Sequence, residues 1–258
     1  MAPLSQEKEP PANPGRFNGT NVASFSDVDY FCTFPRANLK QDSSKTLSAV
    51  ADALRRRFPL TTGIRVNGPA VKVPFGANGE ETTEVVPVDL MGFTSLGHRI
   101  FDMPDRTGGW MFSAPESHNA FVNDEDKRLS GELKPLIRLV KAWKYHRNVP
   151  VNSFYLEMRT TQYALGEQTI VYQIDLPRVL VAMMEEGLQP MLDPRFKKEG
   201  YLIQATNTEA QRVAALSQLK AAAQRALSAL EHHNARRTGA AYSQLQTLYN
   251  GAFPLFSF

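Results

Sequence analysis

The stretch SDVDYF, residues 26–31, carries most of what the sequence says about fold and chemistry. Successive side chains of a β-strand point to opposite faces, so Asp27 and Asp29 would place two carboxylates on one face, about 7 Å apart. Just upstream lies the turn GRFNGT, residues 15–20, whose small residues leave backbone N–H groups close enough to hold phosphates. Paired carboxylates beside such a turn predict a magnesium ion, a triphosphate, and phosphoryl or nucleotidyl transfer.

An Asp-x-Asp pair alone is weak evidence for a metal, because surface strands often carry such pairs. Nucleotidyl transfer with two metal ions normally needs a third carboxylate from a neighbouring strand. Glu84 and Asp89, in the segment TEVVPVD at residues 83–89, are the two candidates. They differ by an odd number of positions, so an uninterrupted strand would turn them to opposite faces and only one could join the pair. The residues alone leave the choice open.

Composition is that of an ordinary globular protein: 42% of the 258 residues are hydrophobic and 21% are charged, enough to bury a core. The net charge of +3 is too small to require a nucleic-acid partner but suits anionic ligands such as nucleotides. Cys32 is the only cysteine, which excludes an intrachain disulfide and fits the reducing cytoplasm. Without a long apolar run or an apolar signal region, we expect a cytoplasmic protein with no membrane partner.

Periodicity divides the chain into two parts. Residues 1–16 are Pro-rich and are expected to be a disordered lead-in. We expect strands at 26–34, 64–66, 70–75 and 84–90, a helix from Asp42 to before Pro59, and a hairpin turn at 76–79. After Pro115 we expect helices through Leu133 to Trp143, through Phe154 to Tyr163, from Pro177 in a first turn to Glu186, and from Thr206 to Asn234. This order predicts an α/β (α+β) fold, with a catalytic lobe at 17–114 and a helical lobe at 115–258.

For three further residues, both a role in catalysis or ligand binding and a purely structural role are considered. Lys141 lies at the border of an apolar helical stripe, where a lysine reaches toward phosphates or simply covers apolar surface with its stem. Ser153 stands where the next helix is expected to begin, which suits an N-cap and also a phosphate contact. His118 is expected in a loop, as a catalytic base or in a structural hydrogen bond.

The order of these motifs is itself informative. A Gly/Thr turn, SDVDY at 26–30, EVVP at 84–87, a Pro and His segment, RLVKAWK at 138–144 and SFYLE at 153–157 follow one another along nearly the whole chain. In this order the sequence resembles the bacterial cGAS/DncV-like nucleotidyltransferases, the enzymes of cyclic-oligonucleotide antiphage defence. They belong to the polymerase-beta-like nucleotidyltransferase superfamily.

The resemblance implies residue roles. Asp27, Asp29 and Glu84 would hold Mg²⁺ or Mn²⁺ as the catalytic carboxylates, with Asp89 in reserve. Gly19, Thr20, Lys141 and Ser153 would bind the nucleotide, which would lie in a cleft closed by the helical lobe. The implied reaction is attack of a ribose hydroxyl on an α-phosphate with loss of pyrophosphate, repeated until a cyclic di- or trinucleotide closes. The implied partners are nucleoside triphosphates, ATP among them, and a downstream cyclic-nucleotide effector, with no requirement for nucleic acid.

Two alternatives stay open. The turn PGRFNGT, residues 14–20, lacks the serine that the family usually carries there, and the Pro-rich lead-in cannot form the helix that usually precedes it. A catalytically impaired nucleotide-binding homologue is therefore one alternative. The other is a transferase that adds nucleotides to an RNA or protein acceptor, against which the small net charge argues weakly in the RNA case.

Overall fold

The computed structural model describes residues 19–22, 28–75, 81–105, 107–196 and 201–254. These residues form two units: the first takes in the described residues from 28 to 120, and the second takes in 19–22 together with those from 121 to 254. The expected lead-in at 1–16, the hairpin turn at 76–79 and the first two residues of the motif SDVDYF lie outside the described residues.

A mixed sheet forms the first unit. Its strands are β1 (Val28–Thr33), β2 (Arg65–Asn67), β3 (Ala70–Phe75), β4 (Glu81–Phe93), β5 (Arg99–Pro104) and β6 (Trp110–Ser113). The order is β2-β3-β4-β5-β6, all antiparallel, and β1 pairs in parallel with β4. A short 3₁₀ turn (Arg36–Asn38) and helix α1 (Ser43–Arg57) connect β1 to β2.

The N-cap, the proline that follows and the buried face of helix α1 all explain where this helix lies. The Asp42 carboxylate accepts the Ser44 backbone N–H at 2.9 Å, which caps the first turn. The helix ends at Arg57, just before the residue that precedes Pro59, a position at which helical backbone is disfavoured. Leu47 is buried against the sheet, and the helix predicted from Asp42 to before Pro59 is confirmed.

The sheet carries one apolar cluster on each face. Val85 of β4 packs with Val71, Val73 and the α1 residues. The next residue, Val86, packs in a second cluster with Val88, Phe101 and Ala70. Side chains alternate along β4 as far as Leu90, before a shift in register, so odd-numbered ones face α1 and even-numbered ones face the opposite side.

The second unit is mainly helical. Helix α2 (Pro115–Arg128) leads into it, followed by α3 (Leu133–His146), α4 (Ser153–Ala164), α5 (Tyr172–Glu185), the strand pair β7 (Met191–Leu192) and β8 (Leu202–Ile203), α6 (Glu209–Asn234) and α7 (Thr238–Leu248). The expected α3 stripe is confirmed, because Leu133, Leu136, Ile137, Val140 and Trp143 are each at most 2% exposed. The predicted α/β (α+β) class is confirmed by the mixed sheet followed by helices.

Two expectations about the helices are wrong. Pro177 lies inside α5 rather than in its first turn, because the helix begins at Tyr172. The buried Asp175 carboxylate accepts the Val171 N–H at the helix start, where that donor has no intrahelical partner, and this cap sets the earlier beginning. His118 is not in a loop: it lies in α2 and is 6% exposed.

Candidate active site

Two of the expected carboxylates come together on paired strands. Asp29 of β1 lies directly opposite Glu84 of β4 in the parallel register. Two residues further on, Phe31 and Val86 are also opposite each other, and both belong to the apolar cluster on the face away from α1. The alternation of side chains therefore places Asp29 and Glu84 on that same face, one strand spacing of about 4.8 Å apart.

A neighbouring amide orients Glu84. The side-chain Nδ2 of Asn67, at the end of β2, donates to Glu84 Oε1 at 2.7 Å. One carboxylate oxygen is thereby held by the protein while Oε2 of the same group keeps its acceptor capacity. Asn67 is a contributor to the site that the sequence analysis missed, since β2 and β4 are distant in sequence and no local pattern links them.

Asp89 lies on the other face of β4. It is opposite Asp102 of β5, which makes an ion pair with Arg36 at 2.9 Å. Burial raises the pKa of Asp102 and the neighbouring Asp89 charge raises it further, while Arg36 opposes both effects. Of the two candidates that the sequence left open, only Glu84 shares a face with Asp29, and Asp89 does not.

The residues present fit a divalent cation. Carboxylate oxygens are the ligands that Mg²⁺ and Mn²⁺ prefer, and Asp29 and Glu84 supply them from adjacent strands. Among the residues that the structure describes, no three His, Cys, Asp or Glu side chains cluster as a metal site. Asp27, the third member of the expected set, lies outside the described residues, so its metal role stays a prediction.

Gly19 and Thr20 contact the helices of the second unit. The Thr20 hydroxyl donates to Glu157 Oε2 at 2.8 Å, and the ammonium of Lys141 donates to the same oxygen at 2.9 Å. The Lys141 Nζ is also 3.4 Å from Thr20 Oγ1. The guanidinium of Arg138 donates to the Gly19 carbonyl at 2.5 Å. The structure thus brings three of the predicted nucleotide-binding residues together, through a glutamate and an arginine that were not predicted.

Ser153 forms a separate polar cluster. It is the first residue of α4, and the N-cap is Asn152, whose side chain accepts the Phe154 N–H at 3.0 Å; the expectation that Ser153 is the cap is therefore wrong. The Ser153 hydroxyl is instead 2.5 Å from Lys144 Nζ and 3.0 Å from the Tyr145 hydroxyl.

Lys144 is a candidate phosphate-binding residue that was not predicted from the sequence. It follows Lys141 by about one turn of α3, so the spacing in KAWK was the available signal. Burial, and after it the charge of Lys141, lower the pKa of Lys144 to about 8. An ammonium that is half-buried, close to a helix N-terminus and next to a hydroxyl is suited to bind a phosphate oxygen.

Comparison with known proteins relates this geometry to a known fold. No protein-family model matches the chain. Escherichia coli MS115-1 CdnC with ATP superposes with a TM-score of 0.68 over 93% of this chain and 82% of CdnC, at 18% identity. Vibrio cholerae DncV cyclic AMP-GMP synthase with the linear intermediate pppA(3′,5′)pG gives 0.68 over 93% of this chain and 68% of DncV, at 12% identity. The chain has the CdnC/DncV fold.

Further comparisons agree with that fold. Escherichia coli DncV with 3′-deoxy GTP gives a TM-score of 0.65 over 93% of this chain and 68% of that one, at 14% identity. A probable cyclic nucleotide synthase of Bacillus cereus (strain VD146) is 24% identical over 80 residues, which are 31% of this chain and 24% of that relative. The resemblance stated from the motifs is therefore confirmed at the level of the CdnC/DncV fold. None of the described helices is long and apolar enough to span a bilayer.

Proposed function

We propose that this protein is a metal-dependent nucleotidyltransferase that joins nucleoside triphosphates into a cyclic di- or trinucleotide, as a signal in antiphage defence. The observation that carries the proposal is the pairing of Asp29 with Glu84 on one face of the sheet, in a chain with the CdnC/DncV fold. The relatives support the substrate class, since CdnC is seen with ATP and DncV with a linear pppA(3′,5′)pG intermediate.

In the proposed reaction the ribose hydroxyl of one nucleotide attacks the α-phosphorus of a second. A phosphodiester bond forms, the bond between the α- and β-phosphates breaks, and pyrophosphate leaves with the electron pair. A second attack within the linear product closes the ring. When bound, Mg²⁺ or Mn²⁺ supplies positive charge that offsets the charge of the triphosphate.

The residues of this chain have separate tasks in this proposal. Asp29 and Glu84, with Asp27, hold the divalent ion, and Asn67 keeps the Glu84 carboxylate in one orientation. The backbone amide of Gly19, the exposed residue of the Gly19–Thr20 turn, binds a phosphate oxygen. Lys144 and Ser153, which touch each other, offer an ammonium and a hydroxyl to the phosphates. Positioning and electrostatics of this kind supply most of the catalysis in phosphoryl transfer.

The test is incubation of the purified protein with labelled nucleoside triphosphates and Mg²⁺ or Mn²⁺. We expect a labelled product that resists phosphatase, and we expect the Asp27→Asn/Asp29→Asn double variant to lose it. Omission of one nucleotide at a time then identifies the bases. Label recovered only in free phosphate or in an added RNA or protein would contradict the proposal.

A further inference from the structure

Lys141, Glu157 and Thr20 form a buried polar cluster in the second unit. Thr20 is fully buried, Glu157 is 4% exposed and Lys141 is 5% exposed. Removing an ion pair from water is costly, and a buried pair is often no more stabilising than apolar residues of the same size. Stability alone therefore does not account for the Lys141–Glu157 pair. The other contacts of the pair suggest that it also has a role in positioning Thr20.

That role involves Glu157 Oε2, which accepts from both Lys141 and Thr20. Lys141 forms an ion pair with the Glu157 carboxylate at 2.9 Å among the buried helices. The ionised carboxylate is a stronger acceptor for the Thr20 hydroxyl than a neutral group would be. The contact joins residues 137 positions apart and fixes Thr20 to α4.

Arg138 fixes the preceding peptide. Gly19 has a φ of +68°, a left-handed conformation that glycine adopts at little cost, and its carbonyl accepts from Arg138. In a trans peptide the C=O and the following N–H point in opposite directions. The Thr20 N–H therefore points away from Arg138, and two consecutive residues of the turn are held by α3 and α4.

We propose that Lys141 and Glu157 are positioning residues: they hold the buried Thr20, and with it the conformation in which the exposed Gly19 presents its amide to a triphosphate. Lys141 acts through Glu157 and Thr20, because its ammonium is paired with Glu157 and it is almost fully buried. This inference rests on the proposed function, since it assigns a nucleoside triphosphate to the turn. It assigns the phosphate contact of the α3 lysines to Lys144 instead of Lys141.

Thr20→Val tests the inference, because it removes the hydroxyl, keeps the shape and leaves the ion pair intact. Thr20→Ser restores the hydroxyl. Thr160→Val is the matched control: Thr160 is also fully buried, but its hydroxyl donates within α4 to the Leu156 carbonyl at 2.7 Å. The measurement is equilibrium dialysis with each of the four radiolabelled ribonucleoside triphosphates in Mg²⁺, together with hydrogen exchange of the amides at 19–22.

We expect Thr20→Val to weaken binding of the preferred triphosphate by about tenfold and to speed amide exchange in the turn, since it removes a hydrogen bond to a charged group. Thr20→Ser should recover both, and Thr160→Val should change neither. Equal affinities for Thr20→Val and Thr160→Val, with only the melting temperature lowered, would overturn the inference by showing a merely structural role.

Replacing Lys141 and Glu157 by two neutral residues distinguishes a positioning role of Lys141 from its direct contact with a phosphate. The double variant Lys141→Met/Glu157→Gln removes both buried charges and keeps an amide oxygen at position 157 for the Thr20 hydroxyl. If Lys141 acts through Glu157, this variant weakens binding less than Thr20→Val does. A larger loss, with the turn amides still protected, would mean that Lys141 itself touches the phosphate and would contradict the inference.

The dialysis assay also separates this inference from the proposed function. A wild-type protein that binds a triphosphate but releases no pyrophosphate would refute the nucleotidyltransferase proposal, and the Thr20 variants would still decide the role of the cluster. A wild-type protein that binds none of the four triphosphates would overturn the positioning inference together with the proposed function.

Discussion

Glu84 and Asp89 are both carboxylates of β4, and their opposite faces give them different expected roles. Glu84→Gln keeps the shape and the Asn67 contact but removes the charge that faces Asp29. We expect the rate of pyrophosphate release to fall about 10³-fold, since loss of a metal-binding carboxylate costs several kcal/mol of transition-state stabilisation. Asp89→Asn is the control, because Asp89 lies opposite Asp102 on the other face. A comparable loss in Asp89→Asn would contradict the assignment of Glu84.

We expect Lys144 to make nucleotide affinity depend on pH. Its pKa is lowered to about 8 by burial and by Lys141, and its other polar neighbours are Ser153 and Tyr145. The ammonium form is dominant below pH 8 and is lost above it, so attraction for a phosphate falls as the pH rises. We expect KM for the triphosphate to rise severalfold between pH 7 and pH 9, measured by initial rates of pyrophosphate release.

Lys144→Arg is the control for that dependence, since a guanidinium stays charged across this range. Its KM should be nearly constant between pH 7 and pH 9, whatever its absolute value. The same rise in Lys144→Arg as in the wild type would assign the titration to another group and would contradict the role proposed for Lys144.

At the scale of elements, the start of α5 depends on Asp175. Its carboxylate accepts the Tyr163 hydroxyl at 2.6 Å and the Val171 N–H, and it is 2% exposed. Asp175→Ala removes both hydrogen bonds and leaves two donors without these partners, so we expect the free energy of unfolding to fall by about 3 kcal/mol. Urea denaturation measures this as a lower midpoint with an unchanged slope.

Asp175→Asn keeps an acceptor oxygen and should be destabilised less than Asp175→Ala. Asp124→Ala, an exposed aspartate of α2, should leave the midpoint unchanged. If Asp175→Ala also left the midpoint unchanged, the cap would not be what starts α5 before Pro177.

A helix or strand could be predicted from the sequence when the residues that determine it lie within its own segment. Helices α1 and α3 were predicted because a cap, a following proline or a full apolar stripe lies within the segment itself. Strands β5 and β6 were missed, since RIFDMP and WMFS are short and mix apolar with polar residues. Helix α2 was missed because its residues are mostly polar, and α5 was started too late because its cap comes from Asp175 within the helix.

At the scale of the whole molecule, strand alternation made part of the candidate site predictable. The parts that depend on contacts between residues distant in sequence were not predictable. The pairing of Asp29 with Glu84 follows from alternation once the two strands are known to be neighbours. The bond from Thr20 to Glu157 links the beginning of the described chain to α4, and no local pattern encodes it. The contact of Ser153 with Lys144 needed the packing of α3 against α4.

The central proposal, that the nucleotides are joined into a ring, can be tested by the stoichiometry of the reaction. The measurement is the ratio of pyrophosphate released to nucleotide incorporated, in a reaction that contains only the protein, nucleoside triphosphates and Mg²⁺. A ring loses one pyrophosphate for every nucleotide, so we predict a ratio of one and a product without a terminal phosphate. A ratio near one half with a phosphatase-sensitive product would indicate a linear dinucleotide, and no incorporation at all would indicate an impaired homologue; either result would contradict the central claim.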